Sequence, residues 1–312
     1  MKIVTLLPSA TEIVAALVPL DQIVAVSHEC DFPPGVETRP RLTSSIIPSQ
    51  LEAAEIDAAV SQAVQTGQAL YRVNGDLLAQ LKPDLIVTQG LCDVCAVNVD
   101  TVNETLVFLP DALPNSTQVL TLTGQSLRGV LQDIERVGKW VGQGARAKTL
   151  VSQLSDRWQS LKHSIPKQNP KPKVLMLEWP DPPFFGGHWV PEMVHVAGGI
   201  DVLGQPGQNS GRCTWAEIAA ADPDVIVAIA CGQNLAENIA LTEKLGDRPE
   251  FRALRAVKTQ NLWAVDANSY FSRPGPRLVD GAELLHQILH QSASDPAKAK
   301  QIRARHQLIS EA

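Results

Sequence analysis

The chain has 312 residues, 44% of them hydrophobic and 19% charged, and its 27 basic against 33 acidic side chains leave a formal charge of −6. That length suits about two domains, and with no Lys/Arg block there is nothing from which to build a phosphate-tracking surface, so nucleic-acid binding is not expected. No run approaches the roughly 18 uninterrupted apolar residues of a membrane span, since Pro8, Glu12 and Asp21 interrupt the most apolar candidate.

In chain order, Lys2 precedes Ile3-Val-Thr-Leu-Leu7, too short for a secretory apolar core, and Glu12 falls where such a core would continue. Residues 2–7 are therefore predicted as a buried strand of the mature fold and a cytoplasmic location is expected. The cysteines are expected to stay reduced there. A helix is predicted from about Thr11, and strands over Gln22–Val26, Asp84–Thr88 and Gln118–Leu122. Ser9-Ala-Thr-Glu12 and Ser49-Gln-Leu-Glu52 have capping-box spacing and mark two helix starts, with Gly67 as the stop of the second.

From Gln125 to Ile165 the periodicity is helical without a strand. Leu127, Val130, Leu131, Ile134 and Val137 share one face, and Leu150, Leu154, Trp158 and Leu161 share another after Gly142-Gln-Gly144. Trp140 and Trp158 are read as packing residues. Pro166 to Pro172 closes this stretch. Strands then follow over Lys173–Trp179, Asp224–Ala228 and Leu262–Val265, Ala282–His290 lies inside a final helix, and the charged tail after Gln291 is expected to fray.

The halves echo each other: Leu78-Ala-Gln-Leu-Lys-Pro83-Asp84-Leu-Ile-Val87 matches Ile218-Ala-Ala-Ala-Asp-Pro223-Asp224-Val-Ile-Val227. In each, Pro stops a helix and Asp is expected to bond the turn backbone before a buried strand. The predicted fold class is α/β, two similar lobes with mainly parallel sheets joined by one long helix: residues 1–124, a helical segment 125–165, residues 166–291, and a tail 292–312. Ligands of open α/β sheets sit at the carboxyl ends of strands, which places the site in an interlobe cleft.

The segments after those strand ends are rich in aromatic, thiol and imidazole groups: Ser27-His28-Glu29-Cys30-Asp31-Phe32-Pro33-Pro34, Gln89-Gly-Leu-Cys92-Asp-Val-Cys95, Glu178-Trp179 through Phe184 to His188-Trp189, and Cys231-Gly232. On loops stiffened by proline they read as the wall of a pocket for a large flat ligand.

Taken in order, Lys2-Ile-Val-Thr-Leu-Leu-Pro-Ser9-Ala-Thr-Glu-Ile, Ser27 to Pro34, Leu81-Lys-Pro-Asp-Leu-Ile-Val, Pro182-Pro-Phe184, Ala197-Gly-Gly199 and Ser269-Tyr270-Phe271-Ser-Arg273-Pro-Gly-Pro-Arg277 resemble the cobalamin-binding members of the ABC-transporter substrate-binding proteins whose two lobes are bridged by a single helix. The resemblance runs from about residue 2 to 290. It implies a corrinoid ligand lined by the Ser27–Pro34 loop, Tyr71, Phe184 and the Tyr270–Arg273 segment. The candidate ligand-binding set is thus Ser9, His28, Glu29, Asp31, Phe32, Tyr71, Trp179, Phe184, His188, Trp189, Tyr270, Phe271 and Arg273. Aromatic faces would pack on the ring while Asp31 and Arg273 meet its peripheral amides, and His28 or His188 could offer a nitrogen to cobalt. Exported relatives carry a signal or lipid anchor and dock on a permease through one acidic side chain per lobe. Asp76 matches the first, but the second position is Ala216, with Glu217 displaced by one residue and so by about 100° around a helix.

Other readings were weighed on the residues themselves. Cys92-x-x-Cys95 has the spacing of a dithiol redox motif, and His28, Cys30, Cys92 and Cys95 together would suit zinc. Against these stands packing of small buried thiols. Gly142-Gln-Gly144-Ala-Arg-Ala147 fits a dinucleotide fingerprint but follows no strand. Glu178, Glu192 and Asp31 have no nucleophile motif beside them to make a hydrolase. The expectation is a monomeric, non-catalytic corrinoid carrier, store or sensor. The alternatives are a haem or iron-chelate binder using Arg72, Arg212 and Arg273, or a Cys/His metal-dependent redox protein or enzyme.

Overall fold

The computed structural model describes residues 1–48, 51–90, 116–165, 170–290 and 299–301. Two compact units divide the chain: Met1–Leu154 with Pro274–Pro276, and Ser155–Arg273 with Arg277–Ala312.

In the first unit, strands β1 (Ile3–Thr5), β2 (Ile23–Val26), β5 (Leu85–Gln89) and β6 (Gln118–Leu122) form a parallel sheet in the order β2-β1-β5-β6. Strands β1 and β5 are buried throughout, which is why they read as continuous apolar runs rather than alternating ones. The helix Pro8–Leu17 begins three residues before the predicted start. Pro8 takes the first helical position, where no N–H is needed, and Ser9 lies inside the first turn rather than capping it. Only Ala15 and Ala16 of this helix are partly exposed, so its sequence is apolar nearly all round.

The helix Ala53–Thr66 is likewise offset: Glu52 stands at its cap, and the Glu55 carboxylate accepts the Glu52 N–H at 2.9 Å. Ser49 and Gln50 lie outside the described residues. Gly67, at φ 67°, ends the helix as expected. A separate antiparallel ribbon, β3 (Thr43–Ser45) on β4 (Tyr71–Val73), was not foreseen, because three-residue strands carry too little alternation to detect.

Ser126 caps the helix Leu127–Trp140 by accepting from the Gly129 N–H at 3.0 Å. Leu127, Val130, Ile134 and Val137 are buried and Leu131 partly so, but Trp140 is 44% exposed and does not pack as predicted. The division between the units falls inside the next helix, Gly144–Ser164, on which Leu154, Trp158 and Leu161 are buried. Gly142 lies between these two helices and Gly144 opens the second, which leaves the dinucleotide spacing without its strand.

The second unit holds a sheet ordered β10-β8-β7-β11-β12-β13, with β9 also on β7. Strands β7 (Lys173–Pro180), β11 (Val225–Ala228) and β12 (Leu262–Val265) are parallel. Strand β8 (Pro183–Phe185) runs antiparallel to β7, β9 (Ile200–Asp201) parallel to it, and β10 (Gly211–Arg212) antiparallel to β8. The tail departs from expectation: β13 (Ala299–Gln301) pairs antiparallel with β12, with Ala299 buried. Among the described residues the last helix is Leu278–Leu289.

The sequence echo is repeated in atoms. Asp84 accepts the Lys2 backbone N–H at 2.7 Å, and Asp224 accepts that of Lys173 at 2.7 Å. The ammonium groups of Lys2 and Lys173 donate to the Leu81 and Ala221 carbonyls at 3.1 and 3.4 Å. Lys82 and Asp222, at φ 47° in both cases, are the left-handed residues that end the preceding helices. The Pro-Asp carboxylate therefore fastens the start of the adjacent strand, not its own turn. Each unit packs its own core, with Val4, Leu6, Ala25, Leu42, Leu78 and Ile86 in the first. Leu175, Leu177, Ile218, Ile226, Phe251 and Leu262 belong to the core of the second.

Candidate functional site

In the first unit the loop after β2 is a tightly bonded turn. The Cys30 N–H donates to the Ser27 carbonyl at 3.3 Å and the Glu29 N–H to the Ser27 hydroxyl at 3.2 Å. One guanidinium nitrogen of Arg41 donates to the carbonyls of Ser27 (3.0 Å) and Cys30 (2.5 Å), clamping the turn from behind. His28 is held at both ends of its residue: its backbone N–H donates to Thr43 Oγ1 at 3.0 Å, and its ring Nδ1 bonds the same oxygen at 2.7 Å. A hydroxyl oxygen has two lone pairs, so Thr43 can accept both N–H groups and leave Nε2 of a neutral imidazole with its lone pair outward. Burial first, and the Arg41 charge second, push the His28 pKa below the usual histidine value, so the ring is neutral at neutral pH.

Tyr71 on β4 lies beside His28, ring centroids 5.7 Å apart and planes at 45°. Glu29, Asp31 and Phe32 are exposed on the same loop. Ser9 is 1% exposed within its helix, and its hydroxyl is buried. Cys30 is 1% exposed, with its sulfur 3.0 Å from Thr11 Oγ1 and its thiol donating to Ser27 Oγ at 3.4 Å. It is a packed thiol. Cys92 and Cys95 lie outside the described residues, and among the described residues no group of three or more His, Cys, Asp or Glu could hold a metal ion.

In the second unit β7 and β8 form a short hairpin that sets Trp179 opposite Phe184, and β10 brings Arg212 beside it. The Arg212 guanidinium lies 5.3 Å from the Phe184 ring centroid. The following loop is held by close backbone approach: a Cβ on Gly187 would fall 2.2 Å from Ser210 N. Ser210 Oγ accepts the Gly187 N–H at 3.1 Å and donates to Glu178 at 2.8 Å, so Glu178 anchors this loop. His188, at φ 54°, is half-buried, and burial lowers its pKa against an opposing bond from Asn209. Its ring centroid is 5.5 Å from that of Trp189.

Trp189 and Phe271, both assigned as ligand contacts, are buried. Trp189 is 8% exposed and donates its indole N–H to the Phe271 carbonyl at 2.7 Å, and Phe271 itself is 1% exposed. Both side chains are core that supports the loop. Arg273 is 6% exposed. Tyr270 is partly exposed, with the Arg277 guanidinium 5.9 Å from its ring centroid.

Asp76 and Ala216 are exposed at the same position of their helices, Gly75–Leu81 and Trp215–Ala221. The displaced Glu217 accepts the Thr214 N–H at 2.7 Å and the Thr214 hydroxyl at 2.8 Å, bonds that lower its pKa. Its carboxylate is engaged as a helix cap. Arg41, Thr43 and Ser210 were not named from the sequence. They lie 14, 15 and 32 residues from the groups they hold, and no local pattern links them.

A family model described as periplasmic binding protein matches residues 3–268. A vitamin B12-binding protein of Photorhabdus laumondii is 23% identical over 304 residues, 94% of this chain and 90% of that one. Among solved structures, the periplasmic vitamin B12 binding protein of Vibrio cholerae has a TM-score of 0.65 at 20% identity, covering 93% of this chain and 97% of its own. The periplasmic haem binding protein of Vibrio cholerae scores 0.67 at 17% identity, with 93% and 99% covered. These likenesses establish a shared fold.

Proposed function

This chain belongs to the periplasmic binding protein family, and from that premise we propose that it is a non-catalytic binding protein for a corrinoid of the cobalamin type. The observation that carries this reading is the match along nearly the whole chain to a vitamin B12-binding protein. It is supported by part-exposed aromatic and imidazole groups at the strand ends: His28 beside Tyr71 in the first unit, and Phe184 and Tyr270 in the second. Flat rings stacked on such faces bury large apolar areas without needing charge.

A second reading, haem or an iron chelate, is favoured by one feature. Arg212 and Arg277 each stand over an aromatic of the candidate set, where a guanidinium can pair with a carboxylate on the rim of a ring. Titration with hydroxocobalamin and with haemin, followed by calorimetry and visible absorption, decides between them. Tight hydroxocobalamin binding with weak haemin binding is the expected result, the reverse moves the assignment to haem, and binding of neither removes both.

The proposal includes a cytoplasmic role as carrier, store or sensor. Cys30, Cys213 and Cys231 are free thiols, as a reducing compartment favours. Docking on a permease through paired acids is not part of it, because Ala216 offers no carboxylate opposite Asp76 in the repeat. Fractionation of the source cells tests this, and recovery of the protein from the periplasm would overturn it.

A further inference from the structure

We propose that His286, His290 and the Ala197 carbonyl form a binding site for a divalent transition-metal ion that prefers nitrogen ligands, such as Ni²⁺, Cu²⁺ or Zn²⁺. The site belongs to the second unit alone and shares no residue with the corrinoid set. His286 and His290 stand four residues apart on the helix Leu278–Leu289 and its C-cap, a spacing that stacks side chains on one face and is a recognised way of presenting two imidazoles to one ion. Their ring centroids are 4.4 Å apart with planes at 52°.

Both rings aim a nitrogen at the same oxygen: His286 Nδ1 is 3.3 Å and His290 Nε2 3.0 Å from the Ala197 carbonyl. That carbonyl belongs to the C-cap residue of the helix Val190–Val196, where the last carbonyls have no partner within the helix. Gly198 follows at φ 94°, and a Cβ there would meet His290 Nε2 at 2.9 Å and Ile165 Cγ1 at 3.1 Å. Only glycine leaves the imidazole its place. Ligands bound at about 2.0–2.1 Å stand roughly 2.9–3.4 Å from one another around an ion, and the two nitrogen-to-oxygen separations fall in that range. An ion between them requires both rings to turn so that their lone pairs leave the carbonyl oxygen and meet the ion.

The protons balance within the site. In the metal-free state the two facing nitrogens carry hydrogens and donate to Ala197. On binding, each proton moves to the far nitrogen of its ring, so the ring stays neutral and the lone pair turns to the ion. Ser164 Oγ, 3.3 Å from His286 Nε2, then accepts that proton's hydrogen bond, the usual outer partner of a metal-bound histidine. Two side chains and one carbonyl leave the remaining positions to water, so the bound ion is exchangeable. It ties the last helix to the end of the helix Val190–Val196.

Calorimetric titration of the full chain with Ni²⁺ at neutral pH, compared with His286→Gln, His290→Gln and the control His163→Gln, tests the assignment. A site present in the wild type and the control but missing from His286→Gln and His290→Gln is expected. Because no variant need fold for it, a second readout follows the wild-type imidazole resonances: paramagnetic Ni²⁺ should broaden those of His286 and His290 first. Ni²⁺ binding that survives in both site variants, or titration that leaves the His286 and His290 resonances sharp, overturns the proposal.

Discussion

Asp201 offers a pH experiment whose sign and size follow from its surroundings. One carboxylate oxygen accepts the N–H groups of Leu203 (3.1 Å) and Gly204 (2.7 Å), while the other is buried without a hydrogen-bond partner. Burial outweighs both bonds and raises the pKa from 3.8 to about 6. The folded state thus holds this proton more tightly than the unfolded chain. Its contribution is complete below about pH 4 and is lost as pH rises to about 6, a change of roughly 2 pKa units or about 3 kcal/mol. Asp201→Asn keeps the acceptor for Leu203 and Gly204 and removes the titration. In urea unfolding at fixed ionic strength, the stability of Asp201→Asn relative to wild type should rise by up to about 3 kcal/mol between pH 4 and pH 7 and level off above that. Other titrating groups cancel in the difference. Parallel profiles for the two proteins would refute the reasoning, since they would mean the carboxylate is as well solvated in the folded state as in the unfolded one.

Phe184→Ala should weaken hydroxocobalamin binding about ten- to a hundredfold, the equivalent of roughly 1–3 kcal/mol of lost apolar burial, with the unfolding midpoint held. Trp158→Ala, at a site 7% exposed, should instead cost about 3–5 kcal/mol of stability and leave the affinity of the folded fraction unchanged; a matched loss of affinity would show that Trp158 does more than pack. If His28 ligates cobalt, His28→Ala must alter the visible spectrum of bound hydroxocobalamin, and an identical spectrum removes that role even if affinity falls. Arg41→Gln takes a nearby positive charge and two carbonyl bonds from the loop, so the His28 pKa measured by NMR should rise toward its ordinary value and ligand affinity should drop; an unmoved titration would show that Arg41 does not govern this loop.

Elements with a long apolar run or a clear helical period could be read from the sequence. Runs such as Leu85-Ile-Val-Thr and Val225-Ile-Val-Ala are buried at every position, and the Pro-Asp echo fixed where two of them begin. The ribbon β3–β4 and the hairpin partner β10 escaped notice because strands of two or three residues have no period. Helix starts were misplaced where the capping logic had a competitor: Pro8 opens a helix without a side-chain cap, and Glu52 displaces Ser49 as the residue at the cap. Among site residues, chemistry type was legible but orientation was not. Phe184 and Phe271 are the same residue type in the same motif set, yet only the first stands partly exposed, a difference decided by which face of the local backbone meets the core.

The paired stitches, Lys2 to Asp84 and Lys173 to Asp224, make each half of the chain a reference copy for the other. Where the halves match, the same stitch holds the start of a buried strand, so a change in one half can be read against an internal control in the other. Where they differ, as Asp76 does from Ala216, exchanging the two residues between the halves would show whether each position tolerates the other's side chain.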